Sequence, residues 1–434
     1  MSLVSLIMYK RIRLLALVWL CSASFAKAQT INSPYSRYGL GDITPRQNIL
    51  NRGMGGVAAA YYDISSINFL NPASYARMSA TTLDIGVEFD NRTLRSLNPP
   101  RKFSAYSPNI SYMQLGFPII KGKWGFNVGL NPNSRISYKI ERNERLSGID
   151  SINTLFEGTG GSYEAHFGMG AMLFKNFSVG INMGYLFGSK NYSTRRSFIN
   201  DSVFYYKSNH ETQSNYGGLV FNGGFQYTIP LNKKTWLRLG AYGNIEREFN
   251  ATRDTKRETF EYNINTGGTD TIDVVYLEED FKGKITYPST FGAGFIFDKL
   301  GSWSFGVDYS TEKWSEYSFF DEDDFVRDSW QIRMGGQLLP KGGQSYWKNV
   351  GYRAGFTIGR DYISVDGDLP KWSVSVGAGL PMRKPSYTNQ FSIINTTIEF
   401  GQRGNKSNLI RESFFRVALG FSLSDIWFLK RKYD

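Results

Sequence analysis

Apolar residues recur at every second position along almost the whole chain, and this period of two constrains the fold more than any other feature. In TLDIGVEFD (82–90), the residues between the apolar ones are small or acidic, and the apolar residues are Leu83, Ile85, Val87 and Phe89. The stretches WGFNVGLN (124–131), WSFGVDYS (303–310) and VSVGAGL (374–380) repeat the pattern. Alternation of this kind predicts β-strands with one apolar and one polar face.

A soluble sandwich and a membrane barrel both use such strands, and the composition favours the barrel. Aromatic residues make up 16% of the chain, and glycine accounts for 45 of its 434 residues. A closed barrel places the aromatic rows in lipid and the small or polar rows inside, and closure removes the strand edge that lipid cannot hydrate. The sequence therefore predicts an all-β fold, a transmembrane antiparallel β-barrel.

The pattern divides into fourteen strands, an even number, as is usual for bacterial barrels. We predict them at 80–92, 107–119, 122–141, 160–174, 176–196, 203–230, 234–250, 282–298, 301–317, 326–340, 348–361, 370–381, 389–403 and 410–424. Tight turns alternate with longer polar loops at 142–159 and 251–281. Since short turns normally face the periplasm, the sequence predicts a multi-pass protein of the cell outer membrane with both termini periplasmic.

The first 28 residues are typical of a secretory signal peptide. Lys10, Arg11 and Arg13 precede an apolar run at 14–21, which is too short to span a bilayer, and Ala26-Lys27-Ala28 is a small-residue cleavage site. Cleavage removes the only cysteine, so the mature chain has no thiol chemistry and no disulfide. Four basic residues leave with the segment and no acidic ones do, which lowers the net charge from +12 to +8. That excess favours contact with anionic lipid or solutes over nucleic acid.

The sequence offers little for catalysis or for a metal. His166 and His210 are the only imidazoles, and neither lies in a recognisable metal or nucleophile motif. The acidic run Asp321-Glu322-Asp323-Asp324 would suit calcium or a partner, but a solvated loop is the simpler interpretation. We therefore expect no enzyme, no cofactor and no metal site.

Several short motifs, in their order, resemble the FadL-type family of long-chain fatty-acid transporters, in the branch found in Bacteroidota. They are Gly53-Met54-Gly55-Gly56, Asn71-Pro72-Ala73, Tyr287-Pro288, Phe291-Gly292-Ala293-Gly294, Asp308-Tyr309-Ser310, Arg333-Met334-Gly335-Gly336, Tyr352-Arg353-Ala354-Gly355 and Glu399-Phe400-Gly401-Gln402-Arg403-Gly404. The resemblance implies an N-terminal plug, or hatch, at 29–79 inside a barrel at 80–434. It assigns Asn71, Pro72 and Ala73 to the hatch, where Pro72 would keep Asn71 from continuing a helix. An ordinary turn before the first strand is the alternative.

Pro132 interrupts the well-alternating third strand. A proline cannot donate to the ladder, so it marks a kink or bulge in a barrel wall. The resemblance implies a lateral opening there, formed by Asn131, Pro132, Asn133 and Ser134, through which an apolar substrate would leave for the membrane. The alternative is that Pro132 lies at the rim and bends nothing important.

The resemblance implies ligand-gated passive diffusion of a long-chain fatty acid or another hydrophobic molecule. A carboxylate head group would favour an arginine in the lumen, and Arg135 and Arg333 are candidates on inward positions. Internal ion-pair ladders are the alternative role for both. Outer-membrane lipid and lipopolysaccharide are expected to surround the barrel. The competing function is a non-transporting subunit or docking platform for other proteins of an envelope assembly or secretion complex.

Overall fold

The computed structural model describes residues 32–97, 100–145, 151–199, 205–263, 265, 268–340, 342–365, 367–382 and 390–425. The predicted signal peptide, the first three residues of the predicted hatch and all residues after Asp425 lie outside these ranges. Among the described residues no helix has both the length and the apolar character needed to cross a membrane.

Antiparallel strands make up most of the described chain. In order they are β1 (Asp42–Ile43), β2 (Thr81–Leu97), β3 (Pro100–Ile120), β4 (Trp124–Arg145), β5 (Ser151–Phe174), β6 (Phe177–Phe198), β7 (Lys207–Asn232), β8 (Thr235–Asn244), β9 (Arg247–Tyr262), β10 (Thr269–Tyr287), β11 (Thr290–Lys299), β12 (Trp303–Glu312), β13 (Ser318–Phe319), β14 (Ser329–Leu338), β15 (Gly351–Arg360), β16 (Pro370–Pro381), β17 (Phe391–Arg403) and β18 (Ile410–Asp425).

Fourteen of these strands form a closed wall. They are β2 to β8, β11, β12 and β14 to β18, each paired with the next around the ring, and β18 pairs with β2 to close it. The predicted barrel of fourteen antiparallel strands is confirmed. The remaining strands are β1, the β9–β10 hairpin that continues β8 and β11 outward, and the two-residue β13.

Side chains alternate between the two faces of the wall as predicted. On β2, Phe89 is 43% exposed while Asp84 is fully buried, and on β4, Val128 is 47% exposed while Asn127 is fully buried. The apolar row therefore forms the outer surface and the polar row lines the interior. This is the arrangement that a barrel wall in lipid requires.

The predicted long loops at 142–159 and 251–281 are wrong, because most of these residues continue the sheet. β4 and β5 stay paired as far as Arg145 and Ser151, and β9 and β10 pair along their length. Charged and polar residues interrupt the apolar row on β4 and β9 there, and cross-strand ion pairs such as Lys139–Glu157 (2.9 Å) hold β4 and β5 together. A strand whose apolar row is interrupted has no continuous period of two, so its sequence resembles that of a loop.

Residues 32–80, here called the leading segment, precede the wall and are buried almost throughout. Short elements build it: β1, a helical turn at Ile49–Arg52 and 3-10 turns at Pro34–Arg37 and Pro72–Arg77. Its polar contacts reach strands around the whole ring, including β2, β7, β12, β15, β16 and β17. The division into a hatch at 29–79 and a barrel at 80–434 stays a prediction, and the first wall strand begins at Thr81.

The two ends of the described chain lie at opposite ends of the wall. Asn32 contacts Lys139, toward the end where the strands extend farthest, whereas Asp425 pairs with Thr81 at the end with the short turns. The location of both termini in the periplasm stays a prediction.

Single-cysteine labelling tests the orientation of the barrel, since the mature chain is predicted to lack cysteine. We expect Val275→Cys, on the β9–β10 hairpin that extends beyond the wall, to react with a membrane-impermeant maleimide in whole cells. Lys233→Cys, in a short turn, should react only after the envelope is permeabilised. Reaction of the second variant alone in intact cells would reverse the predicted orientation.

Candidate functional site

The ring of strands is interrupted between β3 and β4. Their ladder ends at Met113 and Leu130, although β3 stays paired with β2 as far as Pro100, and β4 stays paired with β5 as far as Arg145. Among the described residues, no pair joins β3 to β4 beyond Leu130. We call this gap the seam.

The leading segment covers the edge of β4 that faces the seam. β1 pairs with this edge in antiparallel register, with Asp42 opposite Arg135 and Ile43 opposite Ser134. Two backbone hydrogen bonds of 2.9 and 3.1 Å extend the contact on either side, from Ser33 N–H to the Ser137 carbonyl and from Thr44 N–H to the Asn133 carbonyl. The leading segment thus supplies hydrogen bonds that β3 would supply in an uninterrupted wall.

Pro132 lies at a break in the register of β4. Between Pro132 and Ser134 the pairing with β5 shifts by one residue, so that Asn133 forms a bulge. Pro132 has no N–H to donate, and its carbonyl accepts a hydrogen bond from the Thr44 hydroxyl (2.5 Å). The irregularity expected from the sequence is therefore present, and it contacts the leading segment.

The other residues predicted to form the opening lie beside Pro132. Asn131 Oδ1 accepts a hydrogen bond from Gln114 (2.6 Å). The Asn133 side chain accepts one from Arg46 (2.7 Å) and donates one to Ser162 (3.0 Å). All four residues from 131 to 134 therefore adjoin the seam, and their part in an exit path stays a prediction.

Arg135 reaches across the seam. One guanidinium nitrogen is 3.2 Å from a carboxylate oxygen of Glu88, and another donates to the Ile110 carbonyl on β3 (3.4 Å). Since strand backbone alternates with a period of two, Pro108 presents the same edge as Ile110 but has no N–H. On the β3 side of the seam, the Arg135 side chain thus bonds to the backbone of β3, and Pro108 leaves this edge of β3 without one N–H group.

Glu88 belongs to an ion-pair ladder inside the wall. Arg52 of the leading segment is 2.7 Å from Glu88 and 3.4 Å from Glu399, and Arg416 is 3.6 Å from Glu399. Arg135, proposed from the sequence as a head-group ligand, therefore joins a ladder in this structure. The ladder ties the leading segment to β2, β17 and β18.

A second set of ion pairs holds β1. Asp42 lies 2.6 Å from Arg92 and 2.7 Å from Arg403, and Arg403 also pairs with Asp361 at 2.8 Å. Burial raises the pKa of Asp42, but the two guanidinium groups outweigh it and hold the pKa well below its ordinary value. Removing one partner from such a buried pair leaves an uncompensated charge, so these pairs fix β1 firmly beside the seam.

Asn71, Pro72 and Ala73 anchor the far end of the leading segment to the wall. The Asn71 amide donates to three backbone carbonyls, those of Ala59 (2.6 Å), Phe225 (3.2 Å) and Ala241 (3.2 Å). The motif lies so close to β5, β6 and β7 that a side chain would overlap it at three wall glycines: Gly170, Gly180 and Gly224. The small wall residues therefore permit a close backbone approach.

Pro72 starts a helical turn rather than ending one. Asn71 has extended backbone angles (φ −117°, ψ 101°), and its Oδ1 accepts the Ala73 N–H (3.1 Å), which caps the turn Pro72–Arg77. Proline is favoured at the first helical position because its missing N–H would be unpaired there. Asn71 is thus extended, as expected, but Pro72 and Ala73 begin a helical turn.

Arg333 faces a cavity of about 120 Å³. Its guanidinium donates to Ser310 (2.9 Å) and Gln331 (2.7 Å), and no carboxylate of the described residues lies within ion-pairing distance. The cavity is also lined by charged side chains, among them Arg46, Lys371, Glu312, Asp361 and Glu399. It has room for roughly ten water molecules, so a long acyl chain would need the leading segment to move.

A second cavity of about 50 Å³ lies next to the seam. Asn131, Pro132, Asn133, Glu164 and His166 are among its lining residues. His166 is 5% exposed and lies among amide side chains, which agrees with a polar position on the wall.

Sequence reasoning did not single out the residues that attach the leading segment at the seam. Asp42, Arg46 and Arg52 are isolated in a region without periodicity, and their partners lie far away in the chain. The inward position of Glu88 was evident from its strand. Its pairing with Arg52 was not, because only the closed ring brings them together.

Comparisons with known proteins agree with this architecture. A channel described as "CymD monoaromatic hydrocarbon channel" matches with a TM-score of 0.51 and 15% identity, covering 89% of this chain and 98% of that chain. A FadL homologue from Pseudomonas aeruginosa matches with a TM-score of 0.58 and 12% identity, covering 89% and 100%. The toluene transporter TodX from P. putida matches with a TM-score of 0.55 and 15% identity, covering 88% and 99%. At these identities the likeness establishes the fold.

The expected resemblance to FadL-type barrels is thus confirmed for the fold, and the Bacteroidota branch stays a prediction. A comparison with curated proteins found no match. The family model described as BamG matches residues 8–434, which is nearly the whole chain. The protein is therefore a member of the BamG family.

Proposed function

We propose that the protein lets hydrophobic small molecules cross the outer membrane, and that displacement of the leading segment opens the path at the seam. The observation that carries this proposal is the interrupted wall, whose free edge on β4 is paired with a separate segment instead of β3. The apolar outer face and polar inner face support an outer-membrane location.

The pairing of β1 with β4 at the seam could act as a gate if β1 can detach. Backbone groups exposed to lipid must be satisfied within the protein, and β1 does this while the path is closed. A net hydrogen bond contributes about 0.5–1.5 kcal/mol, so releasing a few of them costs several kcal/mol. Burial of a long acyl chain contributes about 0.8 kcal/mol per methylene before ordering losses, which is enough to offset that cost.

Both the similar solved structures and the sequence resemblance support an apolar substrate. Solved structures similar to this chain include a monoaromatic hydrocarbon channel and a toluene transporter, which supports an apolar substrate here. Long-chain fatty acids are the substrate implied by the sequence resemblance. For such a substrate, Arg333 is the better head-group ligand, because it has no carboxylate partner among the described residues, whereas Arg135 pairs with Glu88.

In this proposal the leading segment acts as the plug, anchored by Asn71, Pro72 and Ala73. Lateral exit would take place between β3 and β4, where Pro108 and Pro132 each lack the N–H needed to close the ladder. The ion pairs of Asp42 and Arg52 hold the plug in the resting state.

A second function, as a docking platform in an envelope complex, is favoured by the hairpin. Residues 269–280 of β10 pair only with β9 among the described residues, which leaves a strand edge open. Val275 is 67% exposed and Leu277 is 54% exposed on this strand. An open edge with exposed apolar side chains is a template for pairing with another chain.

A disulfide between the leading segment and β4 tests the gate. Ile43→Cys with Ser134→Cys places two cysteines at directly opposite positions, and we expect the oxidised variant to lose uptake of a labelled fatty acid because β1 cannot leave the edge. Reduction should restore uptake.

The matched control for this lock is Val128→Cys with Phe167→Cys, a directly opposite pair within the wall that leaves the leading segment free. Unchanged uptake in the oxidised Ile43–Ser134 variant, at normal surface abundance, would contradict gating by displacement of β1.

Substitution of Arg333 tests the head-group assignment. We expect Arg333→Gln to reduce uptake of a fatty acid but not of its methyl ester, since a charged hydrogen bond is worth about 1.5–3 kcal/mol, or roughly ten- to a hundredfold in affinity. Arg353→Gln is the control, because Arg353, like Arg333, is 8% exposed and donates to neutral side chains. Equal loss for acid and ester would remove Arg333 as a head-group ligand.

Charge placed on the hairpin edge tests the docking function. Val275→Lys with Leu277→Lys should remove a stoichiometric partner that co-purifies from native membranes, and uptake should stay normal. Leu300→Lys with Trp347→Lys, at comparably exposed apolar positions elsewhere, should keep the partner. Retention of every partner by the hairpin variant would argue against this edge as a docking site.

A further inference from the structure

We propose that the outward faces of β18, β2 and β3, at the end where the strands extend farthest, bind the phosphate groups of a lipopolysaccharide headgroup. This inference concerns the outside of the wall and goes beyond the transport proposal. Three cations carry it: Arg411 on β18, Arg95 on β2 and Lys102 on β3.

These three residues form a row across neighbouring strands. Arg411 lies directly opposite Arg95, and Arg95 lies directly opposite Lys102. Arg95 is on the same face as Phe89, which is 43% exposed on the outer side of the wall. Because neighbouring strands are about 4.8 Å apart, the three charges lie within roughly 10 Å of one another.

Within the described part of the chain, no carboxylate compensates the charges in this row. None of the three forms an ion pair with a carboxylate of the described residues, whereas the arginines on the inner face of the same strands do. Like charges directly opposite each other destabilise a sheet. An anion bound between them would turn this repulsion into attraction, and a phosphate accepts several charged hydrogen bonds at once.

A cavity of about 360 Å³ adjoins the row. Arg101 and Lys406 add two further cations to its lining, and Asn405 and Ser96 add polar groups. This volume lies in the range of small-ligand sites. It could accept a phosphorylated sugar rather than a bare ion.

The position of the row identifies a lipid as the source of the phosphate. Below it on the same outer face lie exposed aromatic side chains that would contact acyl chains: Phe89 at 43%, Tyr106 at 52% and Phe415 at 45% exposure. Arg95 is six residues farther along β2 than Phe89, which is about 20 Å of strand. Tyr106 and Phe415 lie opposite Asn91, so the cations are only about 13 Å of strand beyond these outermost two of the three aromatic residues, at the level of the headgroups.

Binding to defined probes tests this site. The full-length protein in uncharged detergent is titrated with bisphosphorylated lipid A, with dephosphorylated lipid A and with inorganic phosphate. We expect bisphosphorylated lipid A to bind most tightly, with an affinity that falls as salt is raised. The variant Arg95→Gln/Lys102→Gln/Arg411→Gln should bind it roughly tenfold more weakly.

The control variant is Lys121→Gln/Lys123→Gln/Lys175→Gln, which removes the same charge from exposed short turns and should bind like the wild-type chain. Equal binding by wild type and the Arg95 variant, or equal loss in the control, would overturn the proposal. Binding of inorganic phosphate as tight as that of the lipid would also overturn it, because the site would then be a simple anion site. If the triple variant fails to fold, the single variant Arg95→Gln, which should also bind the lipid more weakly, and the salt dependence of the wild type provide the same test.

Discussion

The structure depends on one requirement, that the backbone groups of a wall in lipid find partners within the protein. Elsewhere in the ring, neighbouring strands meet this requirement for each other. At the seam, β3 does not pair with β4 beyond Leu130, and β1 pairs with β4 in its place. The leading segment is therefore a part of the wall's hydrogen bonding, and any movement of it has to be matched by new partners for β4.

Charge pairing with β2 and β17 reinforces this arrangement. Asp42, directly within β1, is held by Arg92 and Arg403, and Arg52 is held by Glu88 and Glu399. Buried pairs of this kind contribute little net stability but are costly to break singly. They therefore hold the leading segment in one position. A fixed position suits a gate with a defined closed state, and it equally suits a docking platform in which the segment never moves and the β9–β10 hairpin binds other proteins.

The two faces of the wall use charge in opposite ways. Inside, arginines such as Arg92 and Arg416 are matched by carboxylates on neighbouring strands. Outside, Arg95 and Arg411 stand opposite each other without a carboxylate partner among the described residues. Since both rows occupy the same strands, the difference indicates that the outer cations are kept for a ligand outside the chain.

The sequence by itself determined the class of fold, the number of wall strands and which face of most strands meets lipid, because a period of two is a local property that survives closure of the ring. On β4 the bulge at Asn133 shifts the alternation, so that Ser134, Ile136 and Tyr138 are the buried residues beyond it. It also located the irregularity at Pro132, since a missing N–H is local too. Only the tertiary structure decided that residues 251–262 and 269–281 extend the sheet, that Arg135 pairs with Glu88 and that β1 covers the seam. Those outcomes depend on contacts between residues far apart in the chain. Local sequence does not show that β18 pairs with β2 to close the ring, or that β1 pairs with β4 at the seam.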